Sequence, residues 1–414
     1  MPGLVVMKFG GTSVADAQRI KRAAQRIVDK REAGFSVVAV LSARGKTTDQ
    51  LIAMAEEVSS APDPREMDML LSTGERISCA LCAMAIHDFG HEVISLTGSQ
   101  AGIVTDASHT RARIIDVRAD RISSALEEGR IVLVAGFQGV STESSDVTTL
   151  GRGGSDTTAV AVAAALGAQE CEIYTDVSGV YTADPWIVPE ARKLSTISFE
   201  EMLEMAASGA GVLQLRSVEY ARNHGVRIHC RSSFDDEPGT VVLAEAETME
   251  QPLITAVTHS TSEARVTLVG VPDEPGAAAR IFQALAKVNV NVDMIVQNEP
   301  TSAGGLAEIS FTLPYEDLRV AHAALEPLSG EAFVDLDAHE DMGKVSIIGA
   351  GMRSHPGVAA KVFGVLAKEG VNIEMISTSP IKISCVIDRA CVPRVVQALH
   401  SAFELSGPGT SVPE

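Results

Sequence analysis

Hydrophobic and polar positions follow two different rhythms along the chain. From residue 1 to about 245, short apolar runs alternate with longer segments whose apolar residues recur every three or four positions. The runs predict strands over 4–9, 36–41, 92–96, 131–137, 172–175 and 226–231. The helical period predicts helices over 15–32, 65–89, 112–128 and 155–166. Strands that are almost continuous Val, Ile and Leu have no polar face to offer water. The pattern therefore predicts an α/β domain with a mostly parallel central sheet covered on both faces. Ligands of such sheets bind beyond the carboxyl ends of the strands, which is where the polar, glycine-containing segments fall.

Past an acidic stretch at 244–251, which reads as a linker, the pattern changes to an internal repeat. The first copy runs Val266 to Gly270, Glu274-Pro275-Gly276, Arg280-Ile281-Phe282, Leu285-Ala286-Lys287 and Asn291 to Ile295. The second runs Val345 to Gly349, His355-Pro356-Gly357, Lys361-Val362-Phe363, Leu366-Ala367-Lys368 and Asn372 to Ile376. Each copy reads as strand, Pro-Gly turn, amphipathic helix and Asn-led strand, with two further strands in each copy, for example over 307–313 and 382–387. This βαββαβ pattern resembles the ACT domain, a small amino-acid-sensing module. The turn before the helix offers N–H groups to a ligand carboxylate, and the Asn-led strand offers polar groups to its amine. The expected division is 1–245, 263–337 and 338–414.

Composition narrows the function. A chain of 414 residues with 45% hydrophobic and 21% charged residues is a globular protein of more than one domain. A formal charge of −20 argues against nucleic-acid and anionic-membrane surfaces, and 1 Trp with 4 Tyr leaves few stacking platforms. No basic n-region with an apolar core opens the sequence, and the alanine-rich run 159–168 is too short to span a bilayer, so a cytoplasmic protein is expected. Cys79 and Cys82 form a C-x-x-C within a helical pattern, without a second pair. They read as buried thiols, and no metal cage is expected.

Four polar clusters carry the candidate chemistry. Lys8-Phe9-Gly10-Gly11 ends the first strand just before a helix, where backbone N–H groups and a lysine can hold a phosphate. Ser42 to Asp49 follows the second strand; its Gly45-Lys46-Thr47 is no P-loop, because position 40 is valine. Gly151-Arg152-Gly153-Gly154-Ser155-Asp156 opens the 155–166 helix. An arginine fork can take a carboxylate there, beside exposed N–H groups and a Ser or Asp cap. The fourth cluster, Thr175 to Pro185, follows the fifth strand. Glu75, in Gly74-Glu75-Arg76, reads by itself as a solvated carboxylate near a helix start.

Together these clusters, in this order and followed by the paired repeat, resemble the aspartokinases of the amino-acid-kinase fold over roughly residues 3 to 405. The resemblance implies a three-layer sandwich with two C-terminal ACT-like units. It implies transfer of the ATP γ-phosphoryl group to the β-carboxylate of L-aspartate, with Mg²⁺ arriving with ATP. Lys8, Gly10 and Gly11 would face the phosphates, and Asp156 would hold Lys8 or help organise Mg²⁺. Thr47, Glu75, Arg152, Gly153, Gly154 and Ser155 would serve the aspartate, Glu75 taking its ammonium and Arg152 a carboxylate. Phe9, Ser42, Ser155, Thr175, Asp176, Tyr181, Asp184 and Trp186 would line the nucleotide site.

For regulation the family match implies lysine or threonine, or both, at Asp273, Gly276, Asn291, Val292, Asp293, Gln297, Asn372, Ile373 and Ser379. It further implies a homo-oligomer, and Met249 could start a separate regulatory chain internally. Four positions depart from the family pattern. Trp186 stands where a phosphate-contacting arginine is common and Gly211 where many members have a lysine. Ser178 replaces a usual aspartate, and Pro380 a common glutamate.

Overall fold

The computed structural model describes residues 3–244, 253–298, 306–355 and 357–407. Apart from Ala244, the acidic stretch and Met249 lie outside the described residues, as does Pro356 of the second Pro-Gly turn. β1 (Leu4–Phe9), β2 (Ser36–Leu41) and β3 (Val93–Leu96) begin the main sheet. β4 (Ile103–Thr105) and β5 (Ile114–Val117) leave it, and β6 (Ile131–Ala135) returns. β7 (Gln138–Ser141) and β8 (Val147–Thr149) join β4 and β5 in a four-stranded sheet. β9 (Glu170–Thr175), β10 (Thr196–Ser198), β11 (Arg227–Ser232) and β12 (Thr240–Leu243) complete the main sheet, ordered β10-β12-β11-β9-β1-β2-β6-β3. All its pairings are parallel except β11 with β12.

Two cores cover the two faces, as strands apolar on both sides require. Val5, Met7 and Phe9 of β1 pack with Ile20, Ile27, Cys79, Cys82 and Ile86 from helices Ala17–Glu32 and Thr73–Asp88. Val6, Val38 and Val134 pack on the other side with Val160, Met202 and Val218 from helices Gly154–Ala165, Phe199–Ala207 and Leu215–His224. This is a three-layer α/β sandwich.

Two expected helices are corrected. The single helix over 65–89 is two, Pro64–Leu71 and Thr73–Asp88, broken at fully buried Ser72. The Gln138 side-chain amide donates to the Ser72 carbonyl at 2.8 Å, a capture from another segment that no local signal announces. The whole stretch Pro64–Asp88 is long and apolar enough to cross a membrane by composition, yet half of it is buried inside the protein and it breaks midway. The helix over 112–128 is confined to Asp120–Glu127, because Ile114–Val117 pairs with β4 as a strand.

The C-terminal repeat forms one six-stranded sheet, in which the strand Ala256–Pro272 pairs on one side with Leu306–Pro314 and on the other with Asp335–Ile348. Its strands are β13 (Ala256–Pro272), β14 (Asp293–Asn298), β15 (Leu306–Pro314), β16 (Asp335–Ile348), β17 (Met375–Ser379) and β18 (Lys382–Asp388). β13 and β16 are long enough to serve both units. The tail of β13 pairs with β15 and with Asp335 to Met342, while its head, Ala256 to Ser260, pairs with Lys344 to Ile348. Val257 accordingly sits in the second unit's core with Val345, Val362 and Leu399. The second unit thus takes its fourth strand from residues ahead of the first unit, and the two interlock.

Candidate functional site

Strand alternation decides what β1 brings to the site. Successive side chains of a strand point to opposite faces, so Phe9 joins the Val5 and Met7 core and Lys8 projects beside Val6. There Lys8 Nζ meets Asp156 Oδ1 at 2.5 Å, with both residues buried. Asp156 occupies the first turn of Gly154–Ala165, which starts after Gly153 in the left-handed region at φ +72°. Gly11 permits a close approach of loops: a Cβ there would stand 2.9 Å from the Ala43 carbonyl, and Gly45 N–H donates to the Gly11 carbonyl at 2.9 Å. The loops after β1 and β2 and the start of the Gly154 helix therefore meet at one point beyond the strand ends.

That point is the wall of a cavity of about 1060 Å³. Lys8, Gly11, Ser42, Glu75, Arg152, Gly153, Gly154, Ser155 and Asp156 all line it. Glu75 is 3% exposed. Its Oε1 accepts from Ala43 N–H at 3.1 Å, while buried Oε2 has no hydrogen-bond partner. Burial outweighs that backbone donor and the nearby Arg76 charge, and pushes the carboxyl up to about 7. Arg152 is exposed on the same wall, without an ion pair or side-chain hydrogen bond among the described residues. A buried carboxylate lacking one partner and a free guanidinium share a cavity with a buried lysine. That arrangement complements a small zwitterion with an extra carboxylate, next to a phosphate.

A second cavity, about 250 Å³, shares Thr175, Gly211 and Val212 with the first. Asp176, Tyr181, Asp184 and Trp186 line it, all from the segment after β9. Asp184 Oδ1 accepts from Trp186 N–H at 2.9 Å, which turns the chain and leaves the indole 69% exposed at the rim. Ser178 donates to Asp235 at 2.8 Å, so a carboxylate from a neighbouring loop stands next to the position where one was expected. Burial raises the Tyr181 phenol above its ordinary range. The head of β13 supplies Val257, Thr258 and His259 to this cavity.

Three expected residues are placed elsewhere. Phe9 is fully buried and stacks on Tyr174 at 4.8 Å between ring centroids, so its side chain lies on the opposite face of the sheet from Lys8. Thr47 begins helix Thr47–Val58 without lining the cavity; its neighbours Thr48 and Asp49 do line it. Gly10 sits behind the wall, its N–H bonded to the Tyr174 carbonyl at 3.1 Å.

Sequence reasoning missed Gln214 and Arg216, which line the cavity, and also Glu316 and Asp317 from the first C-terminal unit. Arg216 binds the carbonyls of Leu150 and Ala112 at 2.7 and 3.0 Å, and no glycine or turn signal marks it in the sequence.

The expected effector residues divide in two. Asp293 meets Lys344 at 2.9 Å, and Lys344, itself buried, also meets Glu263 at 3.1 Å. Asn372 donates to Glu374, which pairs with Arg265 at 2.7 Å. Asp293 and Asn372 thus belong to charge clusters shared between strands of the two units. Asp273 and Gly276 precede helix Ala277–Lys287, Gly276 with φ +100°, and Asn291 and Val292 follow that helix. Gln297 is on β14, Ile373 lies just before β17, and Ser379 ends β17.

Residues 3–232 match the amino acid kinase family, and residues 265–330 and 345–403 each match the ACT domain. The aspartokinase of Mycolicibacterium smegmatis is 57% identical over 412 residues, 99% of this chain and 98% of that protein. The aspartokinase of Corynebacterium glutamicum is 51% identical over 99% of this chain and 98% of its own length. Among solved structures, E. coli aspartokinase III in complex with aspartate and ADP (R-state) superposes with a TM-score of 0.83 at 28% identity, covering 96% of this chain and 99% of that one. The same enzyme in complex with lysine and aspartate (T-state) gives 0.73 at 28% identity, over 97% and 99%.

Proposed function

Because the chain belongs to the aspartokinase family, we propose that it transfers the γ-phosphoryl group of ATP to the β-carboxylate of L-aspartate, under restraint by lysine, threonine or both. The observation that carries this reading is the half-partnered Glu75 carboxylate facing the same cavity as free Arg152 and the Lys8–Asp156 pair. Glu75 takes the substrate ammonium and Arg152 clamps a carboxylate, with Gly153, Gly154 and Ser155 between the two substrates. The acceptor is ionised at neutral pH, given a reference value of about 3.9, so no general base is required. Positioning and charge neutralisation then carry the reaction. Lys8 stabilises charge on the moving phosphoryl group, and Asp156 fixes the lysine's direction.

The donor set suits magnesium: Asp156 offers a carboxylate on the cavity wall that would help hold the ion, and Mg²⁺ keeps several waters and needs few protein carboxylates. Bound there with the nucleotide, the ion would neutralise phosphate charge. The base and ribose would lie along Thr175, Asp176, Tyr181, Asp184 and Trp186. All six cysteines are free thiols, which supports work in the reducing cytoplasm.

Coupled ADP release over a panel of amino acids tests the reaction. Activity with aspartate is expected, whereas activity with glutamate or N-acetylglutamate alone would overturn the assignment. The effector arm places ligand near Asp273, Gly276, Asn291, Val292, Asp293, Gln297, Asn372, Ile373 and Ser379. Equilibrium dialysis with lysine and threonine, singly and together, checks it, and no binding of either removes it. Sedimentation velocity is expected to show a homo-oligomer joined through the ACT units.

A further inference from the structure

Asp68 lies outside the cavity, is fully buried, and is used by neither substrate in the reading above. It sits on helix Pro64–Leu71 and gathers three partners from two other segments. His109 Nδ1 lies 2.7 Å from Oδ2, the Thr110 N–H donates to both oxygens at 3.1 Å, and the Thr149 hydroxyl donates to Oδ1 at 2.5 Å. Thr110, Arg111 and Thr149 all line the acceptor cavity. Thr110 is held at φ +65°, a left-handed conformation that a β-branched residue adopts only under outside constraint.

The same loop is stitched to the arginine segment. Ala112 N–H donates to the Thr149 carbonyl at 2.9 Å, and Arg216 spans the Ala112 and Leu150 carbonyls. A Cβ on Gly151, the residue before Arg152, would stand 3.2 Å from the Thr110 carbonyl. On its outer side the loop reaches the first C-terminal unit, where Arg111 Nη1 donates to the Asn289 carbonyl at 3.1 Å and Nη2 lies 3.8 Å from Asp317.

We propose that Asp68 is a positioning residue for the aspartate end of the cavity. By pinning loop 106–111 against Thr149 it sets the Thr110–Arg111 wall and the segment carrying Arg152, and gives Arg111 a fixed reach to the regulatory unit. A fully buried carboxylate anchored by charge-assisted hydrogen bonds is costly to leave unpaired, so the loop has one strongly preferred arrangement. The proposal rests on the aspartate kinase reading.

The test is steady-state kinetics of the full-length enzyme with His109→Ala, Asp68→Asn and Asp68→Ala. His109 is absent from the cavity wall and partly exposed, so its loss can reach the substrate only through the loop and leaves the core intact. The expected result is a rise in KM for aspartate of several-fold for His109→Ala and about tenfold or more for Asp68→Ala, with Asp68→Asn between them. KM for ATP stays within twofold, and melting of His109→Ala matches the parent protein. Unchanged KM for aspartate in an active His109→Ala enzyme, or parallel rises in both KM values, would overturn the positioning role. A parent enzyme inactive on aspartate would instead overturn the activity assignment itself.

Discussion

Glu75 offers the sharpest test of the acceptor site, because its burial links substrate binding to pH. The carboxyl is raised to about 7 chiefly by burial, against an ordinary value of 4.5. In the substrate-free enzyme it is mostly protonated at pH 6 and mostly ionised at pH 8. Only the ionised form can pair with an ammonium. The ratio kcat/KM for aspartate, which reports groups of the free enzyme, should therefore rise about tenfold from pH 6 to pH 8 and then level off. Glu75→Gln keeps the acceptor for Ala43 N–H but removes the charge. A hydrogen bond to a charged partner contributes about 1.5–3 kcal/mol, so KM for aspartate should rise about 10- to 150-fold. The variant should also lose the pH slope, whereas any titration of the substrate itself persists in both proteins.

Stability supplies an independent readout with the opposite sign. A carboxyl that holds its proton more tightly when folded costs nothing below pH 4.5, where both states are protonated. The cost accumulates as pH rises from 4.5 to 7 and is complete above 7, reaching about 3 kcal/mol. Substrate-free Glu75→Gln should accordingly melt above the parent at pH 8, and this advantage should shrink to under about 1 kcal/mol by pH 5. Aspartate should raise the melting temperature of the parent far more than that of the variant. A parent enzyme whose kcat/KM for aspartate is flat between pH 6 and 8, or a variant with the parent's KM, would refute the ammonium role.

Lys8→Met leaves Asp156 as an uncompensated buried charge, so a loss of about 3–5 kcal/mol of stability is expected, with kcat down about 10²–10³-fold. Adding Asp156→Asn should return most of the stability and none of the rate; recovery of kcat would contradict the role of Lys8. Arg152→Lys keeps the charge and loses the planar fork, and should raise KM for aspartate about tenfold while KM for ATP holds. Equal shifts in both constants would place Arg152 elsewhere. Trp186 is the only tryptophan and stands at the rim of the nucleotide cavity, so its emission should change on ADP titration. Trp186→Ala should raise KM for ATP by about 5- to 150-fold if stacking contributes about 1–3 kcal/mol. Emission indifferent to saturating ADP would exclude that contact.

The layered domain and the repeat were legible because each rests on a local period. Apolar runs without a polar face must be covered on both sides, and Pro-Gly turns recurred in register. Lys8 and Arg152 were legible because glycines punctuate their neighbourhoods. Glu75 was ambiguous because its local sequence supplies only a carboxylate near a helix start; burial and the Ala43 N–H distinguish it, and both are tertiary facts. Phe9 was misplaced by reading a motif as a unit, when strand alternation separates it from Lys8. The break at Ser72 and the anchoring of Thr110 by Asp68 arise from partners at least 40 residues away, which local patterns cannot carry.

The interlocked strands were likewise hidden, and they bear on regulation. A linear order of domains suggests a regulatory end that acts from a distance. Instead the head of β13, which pairs in the second unit, lines the second cavity through Val257 and His259. The first unit reaches the acceptor cavity through Glu316 and Asp317. β13 and β16 run through both units without interruption, and buried Lys344 ties Asp293 of β14 to Glu263 of β13 between them. A ligand that re-pairs Asp293 would thus act on a strand whose head lines the second cavity, in a body that also reaches the first. Coupling requires two arrangements with different ligand affinity, and these shared strands make a continuous connection between the residues lining the two cavities.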